Sequence, residues 1–136
     1  MDSNDSYLEH IHFNVNDIDA AKRFVSIALP VFKVRGEGAQ EPYGKWVHLG
    51  SPNCYLALTQ TPGTVLPDSV RHIGIVVTEL DQLMARLEAA DYQPTDCSEL
   101  DTHPYRRRVY YQDENGLSWE FIEYLSEDDR ERNDYS

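Results

Sequence analysis

The sequence predicts an α+β fold made of two modules, each with the element order βαβββ, and two observations support this. A pattern that begins at His10 returns at His72, 62 residues later, with a further identity between Val15 and Val77. Each copy starts with an alternating, β-rich stretch and continues into residues with helical spacing. A repeat after half the chain indicates two similar units related by an approximate two-fold axis. We therefore expect equivalent positions, including the two histidines, to face each other.

The first module is predicted to occupy about residues 7–60. Residues 7–16 alternate as a strand does, and Asp17 suits the N-cap of a helix whose apolar residues recur until Pro30. Gly36 and Gly38 are interpreted as a turn. The three strands that complete the module are predicted at 31–34, 44–49 and 54–60, with a tight turn at 50–53.

The second module is predicted at about 69–125, after a connector at 61–68 that contains Pro and Gly. Its elements are a strand at 70–78, a helix at 80–90, a weak strand at 92–94, and strands at 105–111 and 117–124 around a turn at 113–116. The acidic tail at 126–136 is expected to be solvated surface. With 136 residues, the chain fits a single domain, 1–136, with a substantial core.

Composition excludes several classes of partner. The net charge of −12 argues against nucleic acid, because binding phosphates requires a basic face. No apolar run approaches the roughly 20 residues of a membrane span. Cys54 and Cys97 are too few for a disulfide framework, and the N-terminus lacks a basic and apolar leader. We expect a soluble, cytoplasmic protein that acts on a small molecule.

A candidate metal site follows from the repeat. Glu120 lies between Trp119 and Phe121 in an apolar strand, where a carboxylate is costly unless it is paired or binds a metal. The equivalent position in the first module is Ala57, which cannot be a ligand. The predicted metal ligands are therefore His10, His72 and Glu120. Two imidazoles and one carboxylate favour Fe(II) or Mn(II), with Zn(II) or Ni(II) as possible alternatives.

Other polar residues are candidates for the same cavity. His12 shares a strand face with His10 and could act as an acid–base group, support a metal ligand or contact the substrate. It could equally be a packed residue with no role in the cavity. Trp46 and His48 share a face of the third strand and are candidate substrate contacts, although an aromatic residue in a sheet is often core. Arg108 could hold an anionic substrate or be an ordinary surface charge.

The chain resembles the vicinal oxygen chelate superfamily, which includes glyoxalase I, bleomycin-resistance proteins, fosfomycin-resistance thiol transferases and extradiol dioxygenases. The resemblance covers about residues 7–125 and rests on three segments, 10–18, 71–77 and 111–123. The last segment is similar to a D-P-x-G-x-x-x-E ending, with Glu114 where Pro is usual. The resemblance implies a cupped mixed sheet around a divalent metal held by His10, His72 and Glu120. It also makes Tyr110 a candidate substrate-contacting and catalytic residue.

The resemblance leaves two functions open. One is a metalloenzyme with dioxygenase-like or thiol-transferase/lyase-like chemistry on a small oxygen-chelating substrate; Ala57, in place of a fourth ligand, argues against glyoxalase I. The alternative is a metal-free protein that binds and sequesters a small molecule of the antibiotic type, as bleomycin-resistance proteins do. In either case the resemblance implies a homodimer.

Overall fold

The computed structural model describes residues 6–42, 44–64 and 71–136. The chain divides into two compact units, Met1–Val65 and Leu66–Ser136. Each unit contains a mixed sheet and at least one helix, which confirms the α+β class. The connector expected at 61–68 is described only as far as Thr64, and residue 70 of the next predicted strand is also outside the described residues. No helix among the described residues is long and apolar enough to cross a membrane.

The first unit has the predicted order βαβββ. Its elements are β1 (His10–Val15), α1 (Ile18–Ala28), β2 (Lys33–Gln40), β3 (Gly44–Gly50) and β4 (Tyr55–Gln60). The strands lie in the order β1-β4-β3-β2, with β1 parallel to β4 and the other pairs antiparallel. The parallel pair needs a crossover, which α1 begins. As predicted, Asp17 caps α1, and its side chain accepts a hydrogen bond from the backbone N of Ala20 at 3.2 Å.

One face of this sheet packs against α1, and the other carries the polar residues. The buried residues of α1 are Ile18, Ala21, Phe24, Val25 and Ala28. Strand alternation directs Val15, Val47, Leu49, Leu56 and Leu58 towards this helix. The opposite face, called the open face of the first unit, carries His10, His12, Trp46, His48, Tyr55, Ala57 and Thr59.

The interpretation of Gly36 and Gly38 as a turn is wrong, because both lie within β2. They face Trp46 across the β2–β3 pair, where a Cβ on Gly38 would lie 2.7 Å from the Trp46 Nε1 and a Cβ on Gly36 would lie 3.6 Å from the Trp46 ring. The glycines therefore make room for the indole. The strand predicted at 31–34 instead begins at Lys33 and extends to Gln40.

The second unit contains β5 (Ile73–Val76), α2 (Leu80–Ala89), β6 (Arg106–Gln112), β7 (Ser118–Tyr124) and α3 (Asp129–Arg132). The strand order is β5-β7-β6, with β5 parallel and β6 antiparallel to β7. The interface between this sheet and α2 is apolar. Its buried residues include Leu80, Leu83, Leu87, Val109, Tyr111, Trp119 and Phe121.

The strand predicted at 92–94 is not formed. Asp91 has a positive φ of 70°, which turns the chain after α2, and Pro94 has no backbone N–H to donate to a strand ladder. The next residues, Thr95 and Asp96, do pair with β6. Thr95 N donates to Tyr110 O at 2.8 Å, and Asp96 forms an isolated bridge with Tyr110.

The tail at 126–136 is not simply solvated surface, because its backbone is bound to the second unit. Arg106, only 5% exposed, donates from Nη1 to the carbonyls of Arg132 (3.0 Å) and Asp134 (2.8 Å), and its guanidinium lies 5.0 Å from the ring centre of Tyr135. His103 Nε2 also lies 2.9 Å from Asp134 O. A short helix, α3, therefore docks against the start of β6.

Candidate metal and ligand site

Glu120 is a buried carboxylate with two charged or chargeable partners in its own unit. It is 6% exposed, and alternation along β7 places it on the face opposite Trp119 and Phe121. Its Oε2 lies 3.1 Å from Nε2 of His72, and its Oε1 accepts a hydrogen bond of 3.5 Å from Nη1 of Arg108. The side chain of His72 is 40% exposed, so this pair links a buried acid to the surface.

Tyr110 lies directly opposite Glu120 in the β6–β7 register, and the two side chains share a hydrogen bond. The ring of Tyr110 meets His72 edge-on, with centroids 5.5 Å apart. Burial raises the pKa of Tyr110, and the charge of Glu120 and their hydrogen bond raise the pKa further. Tyr110 therefore keeps its proton at neutral pH and acts as a hydrogen-bond donor.

Arg108 lies between two carboxylates. Its Nη2 is 2.7 Å from Oε1 of Glu99, and its Nη1 contacts Glu120. Glu99 was not a sequence candidate, because it lies in the loop before β6 and no periodic pattern connects it with that strand. An anionic substrate at Arg108 would have to compete with these two acids.

A stack of rings lies on the open face of the first unit. The ring centroids of His10 and Tyr55 are 4.7 Å apart and nearly parallel, and those of Tyr55 and His48 are 4.8 Å apart. Trp46 is tilted against His48 at 5.0 Å. The guanidinium of Arg35 lies 4.0 Å from the Tyr55 ring centre, at a distance typical of a cation–π contact.

These rings border an open cleft of about 390 Å³. Its lining includes the four sequence candidates on this face, His10, His12, Trp46 and His48. His12 Nε2 lies 2.8 Å from the hydroxyl of Thr59. Burial lowers the pKa of His48, and the nearby Arg35, His10 and His12 lower it further, which favours a neutral imidazole.

Arg35 and Tyr55 are members of this face that the sequence interpretation missed. Alternation places Tyr55 on the same side as Ala57, so its position could have been predicted. The position of Arg35 could not, because the β2–β3 register shifts between Val34 and Gly36. That bulge interrupts the alternation that would assign the side chain of Arg35 to one face.

The predicted metal ligands are divided between the two units, with His10 in the first and His72 and Glu120 in the second. In the second unit His72 and Glu120 meet, and an imidazole nitrogen beside a carboxylate oxygen suits Mn(II) or Fe(II). In the first unit His10 Nδ1 lies 2.8 Å from Oε1 of Glu9. Within either unit, the described residues include no group of three His, Cys, Asp or Glu side chains that could hold a metal ion. The set of three ligands remains a prediction.

The sequence matches the model of a known superfamily. A family model described as Glyoxalase/Bleomycin resistance protein/Dioxygenase superfamily matches residues 7–121. The chain therefore belongs to this superfamily, as the sequence resemblance indicated. A comparison with curated protein sequences gives no significant match.

Solved structures with the same fold include proteins of different function. One is TnmS3, an antibiotic binding protein from Streptomyces sp. CB03234, with 18% identity, coverage of 90% of this chain and 99% of that chain, and a TM-score of 0.70. Another is the fosfomycin resistance protein FosX from Listeria monocytogenes, complexed with Mn(II) and sulfate, with 15% identity, 93% and 97% coverage, and a TM-score of 0.69. A glyoxylase/bleomycin resistance protein/dioxygenase domain from Frankia sp. EAN1pec has 23% identity, 95% and 98% coverage, and a TM-score of 0.71.

Proposed function

We propose that this chain is a metal-dependent enzyme that acts on a small, oxygen-chelating substrate, with His10, His72 and Glu120 as ligands of one divalent ion. The observation that carries the proposal is the 3.1 Å separation between His72 Nε2 and the Oε2 of buried Glu120. The role of His10 rests on the repeat and on the family resemblance. The Mn(II) in FosX supports a divalent ion in a related protein.

The ion, Fe(II) or Mn(II) in preference to Zn(II) or Ni(II), would supply a Lewis acid for negative charge on a substrate oxygen. Tyr110, protonated and beside Glu120, would donate a hydrogen bond to a substrate oxygen or hold the carboxylate in place. His12 would act as an acid–base group, supported by its hydrogen-bonding distance to Thr59. This chemistry is compatible with dioxygenase-like and with thiol-transferase/lyase-like reactions.

The substrate contacts that we propose are Trp46, His48 and Arg108. Trp46 and His48 border the cleft of the first unit, and Arg108 is the cation beside Glu120. We also propose that residues 1–136 form one domain, that the protein is a homodimer, and that it works in the cytoplasm. The free Cys54 and Cys97 support a reducing compartment.

Metal binding tests the proposal directly. Mn(II) titrated into chelator-treated protein in a calorimeter should bind with a stoichiometry of one per chain. Removing a ligand through His72→Ala or Glu120→Gln should weaken binding by roughly 100-fold or more, because even changes to residues behind the ligands cost 10–100-fold. The matched control is His103→Ala, which removes an imidazole held by the tail and should leave affinity unchanged. Equal affinity in all four proteins would refute the assignment.

A second function, metal-free sequestration of a small molecule, is favoured by one specific observation. Arg108 already compensates the charge of Glu120, so this buried carboxylate does not depend on a metal for neutralisation. TnmS3 is an antibiotic binding protein with the same fold. If this function is correct, protein purified without chelator should contain no stoichiometric metal, and His72→Ala should leave its affinity for a ligand unchanged.

A further inference from the structure

The open face of the first unit differs in charge from the chain as a whole. The chain has 24 acidic and 12 basic residues. The described residues that β1, β3 and β4 direct to this face include three histidines and two larger rings, but no Asp or Glu. Glu9, which precedes β1, reaches His10 at the rim. On such an acidic protein, a face whose described residues on β1, β3 and β4 include no acid favours a ligand that carries negative charge.

Arg35 supplies a permanent positive charge at this face. Arg35 is exposed, and its guanidinium lies over the Tyr55 ring. Among the described residues, Arg35 forms no ion pair with a carboxylate. Arg107 and Arg108, by comparison, are each paired with acids. The planar fork of Arg35 therefore keeps its donors available while Tyr55 holds it in place.

The shape of the cleft comes from one small side chain. Ala57 pairs with His12 on β1 and with His48 on β3, so a methyl group lies between two imidazoles. Along β4, Tyr55 lies on one side of Ala57, and Trp46, which pairs with Thr59, lies on the other side. The floor is therefore low and the walls are flat rings, which suits a planar group rather than a bulky aliphatic one.

We propose that this cleft binds a planar aromatic carboxylate, with the ring of the ligand over Ala57 between His12 and His48 and its carboxylate paired with Arg35. This inference rests on the proposed function, because it names the class of small molecule that the protein acts on. Ala57 and Glu120 occupy equivalent positions in the repeat. The first unit thus provides ligand space where the second provides a carboxylate.

The test uses 2-naphthoate and its neutral analogue 2-naphthamide, each titrated into the full chain with EDTA present. Tryptophan emission reports binding at Trp46, because Trp119, the other tryptophan, is 1% exposed and lies in the core. Naphthoate should bind saturably and about 10-fold more tightly than naphthamide, which corresponds to about 1.4 kcal/mol. Arg35→Ala should abolish this preference by weakening naphthoate about 10-fold and should leave naphthamide unchanged.

Two further variants make the result specific. Arg23→Ala removes an exposed guanidinium from α1, which packs on the other face of the sheet, and should change neither affinity. Ala57→Leu fills the floor of the cleft and should weaken both probes, with circular dichroism used to check folding. Absence of saturable naphthoate binding, equal binding of the two probes, or an unchanged preference in Arg35→Ala would overturn the inference.

Mn(II) titration of the same proteins after EDTA has been removed separates this inference from the proposed function. Protein that binds Mn(II) through His72 and Glu120 but does not bind naphthoate would overturn the inference and leave the metalloenzyme proposal intact. Protein that binds naphthoate through Arg35 but does not bind Mn(II) would refute the metalloenzyme and support the inference in a sequestering protein.

Discussion

Asp113 organises the turn between β6 and β7. Its Oδ1 accepts hydrogen bonds from the backbone N of Asn115 (2.9 Å) and of Leu117 (3.0 Å), and its Oδ2 accepts one from the Trp119 indole at 3.1 Å. Burial raises the pKa of Asp113 although these hydrogen bonds lower it. The turn predicted at 113–116 is therefore held by a buried carboxylate, and Gly116 has the positive φ of 84° that the turn requires.

Replacing this carboxylate by an amide should destabilise the protein. In Asp113→Asn the amide NH2 would face one of three N–H donors, and we expect the free energy of unfolding to fall by about 1–3 kcal/mol. Urea denaturation measures the change. Asp91→Asn is the matched control, because Asn tolerates the positive φ of that exposed site, and it should stay within about 0.5 kcal/mol of the wild type. A wild-type midpoint for Asp113→Asn would contradict this assignment.

At the level of elements, the contact between β2 and Trp46 explains why β2 contains glycines. A Cβ on Gly38 would displace the indole, whereas a Cβ on Gly36 would make an ordinary contact with it. These two glycines therefore offer a matched pair of substitutions on one strand.

We predict that Gly38→Ala lowers the free energy of unfolding by about 1–3 kcal/mol and shifts the tryptophan emission, because Trp46 must move. Gly36→Ala should be neutral or slightly stabilising, since Ala reduces the freedom of the unfolded chain. Urea denaturation followed by fluorescence compares the two. Equal stability of both variants would show that Trp46 does not pack on β2 as described.

The docked tail is also expected to contribute to the free energy of unfolding. A chain that ends at Glu127 would lose the two carbonyls that satisfy buried Arg106, and we expect the free energy of unfolding to fall by about 1–3 kcal/mol. Chemical denaturation and amide exchange of β6 would both report the loss. Arg130→Ala, at a side chain that is 92% exposed, should have almost no effect. A truncated chain as stable as the full one would show that the tail is dispensable.

The parts of the fold that were predicted correctly depend on local patterns. The apolar spacing of α1, its cap at Asp17 and the alternation of β7 are all read from neighbouring residues. Docking of the tail on Arg106 and the space for Trp46 over Gly38 depend on contacts between distant segments, which periodicity does not encode. In the candidate site, burial of Glu120 was predictable from its flanking Trp119 and Phe121. Its partner Arg108 was singled out only as a substrate contact.

At the scale of the whole molecule, the family and the α+β class are established, and the oligomeric state is a prediction. We expect sedimentation velocity to give twice the mass of the chain across a dilution series, because the superfamily resemblance implies a closed two-fold dimer. Variation of the mass with ionic strength would show how far the net charge of −12 opposes association. A single-chain mass at every concentration would refute the dimer.

The bulge at Arg35 also affects how the protein behaves when many copies are crowded together. As an outer strand of its sheet, β2 presents backbone groups on which a strand from another molecule could add. The irregular register, with Lys33 and Glu37 along the strand, makes that edge a poor template for such growth. The same local distortion that brings a guanidinium over Tyr55 thus helps to guard against amyloid-like self-assembly.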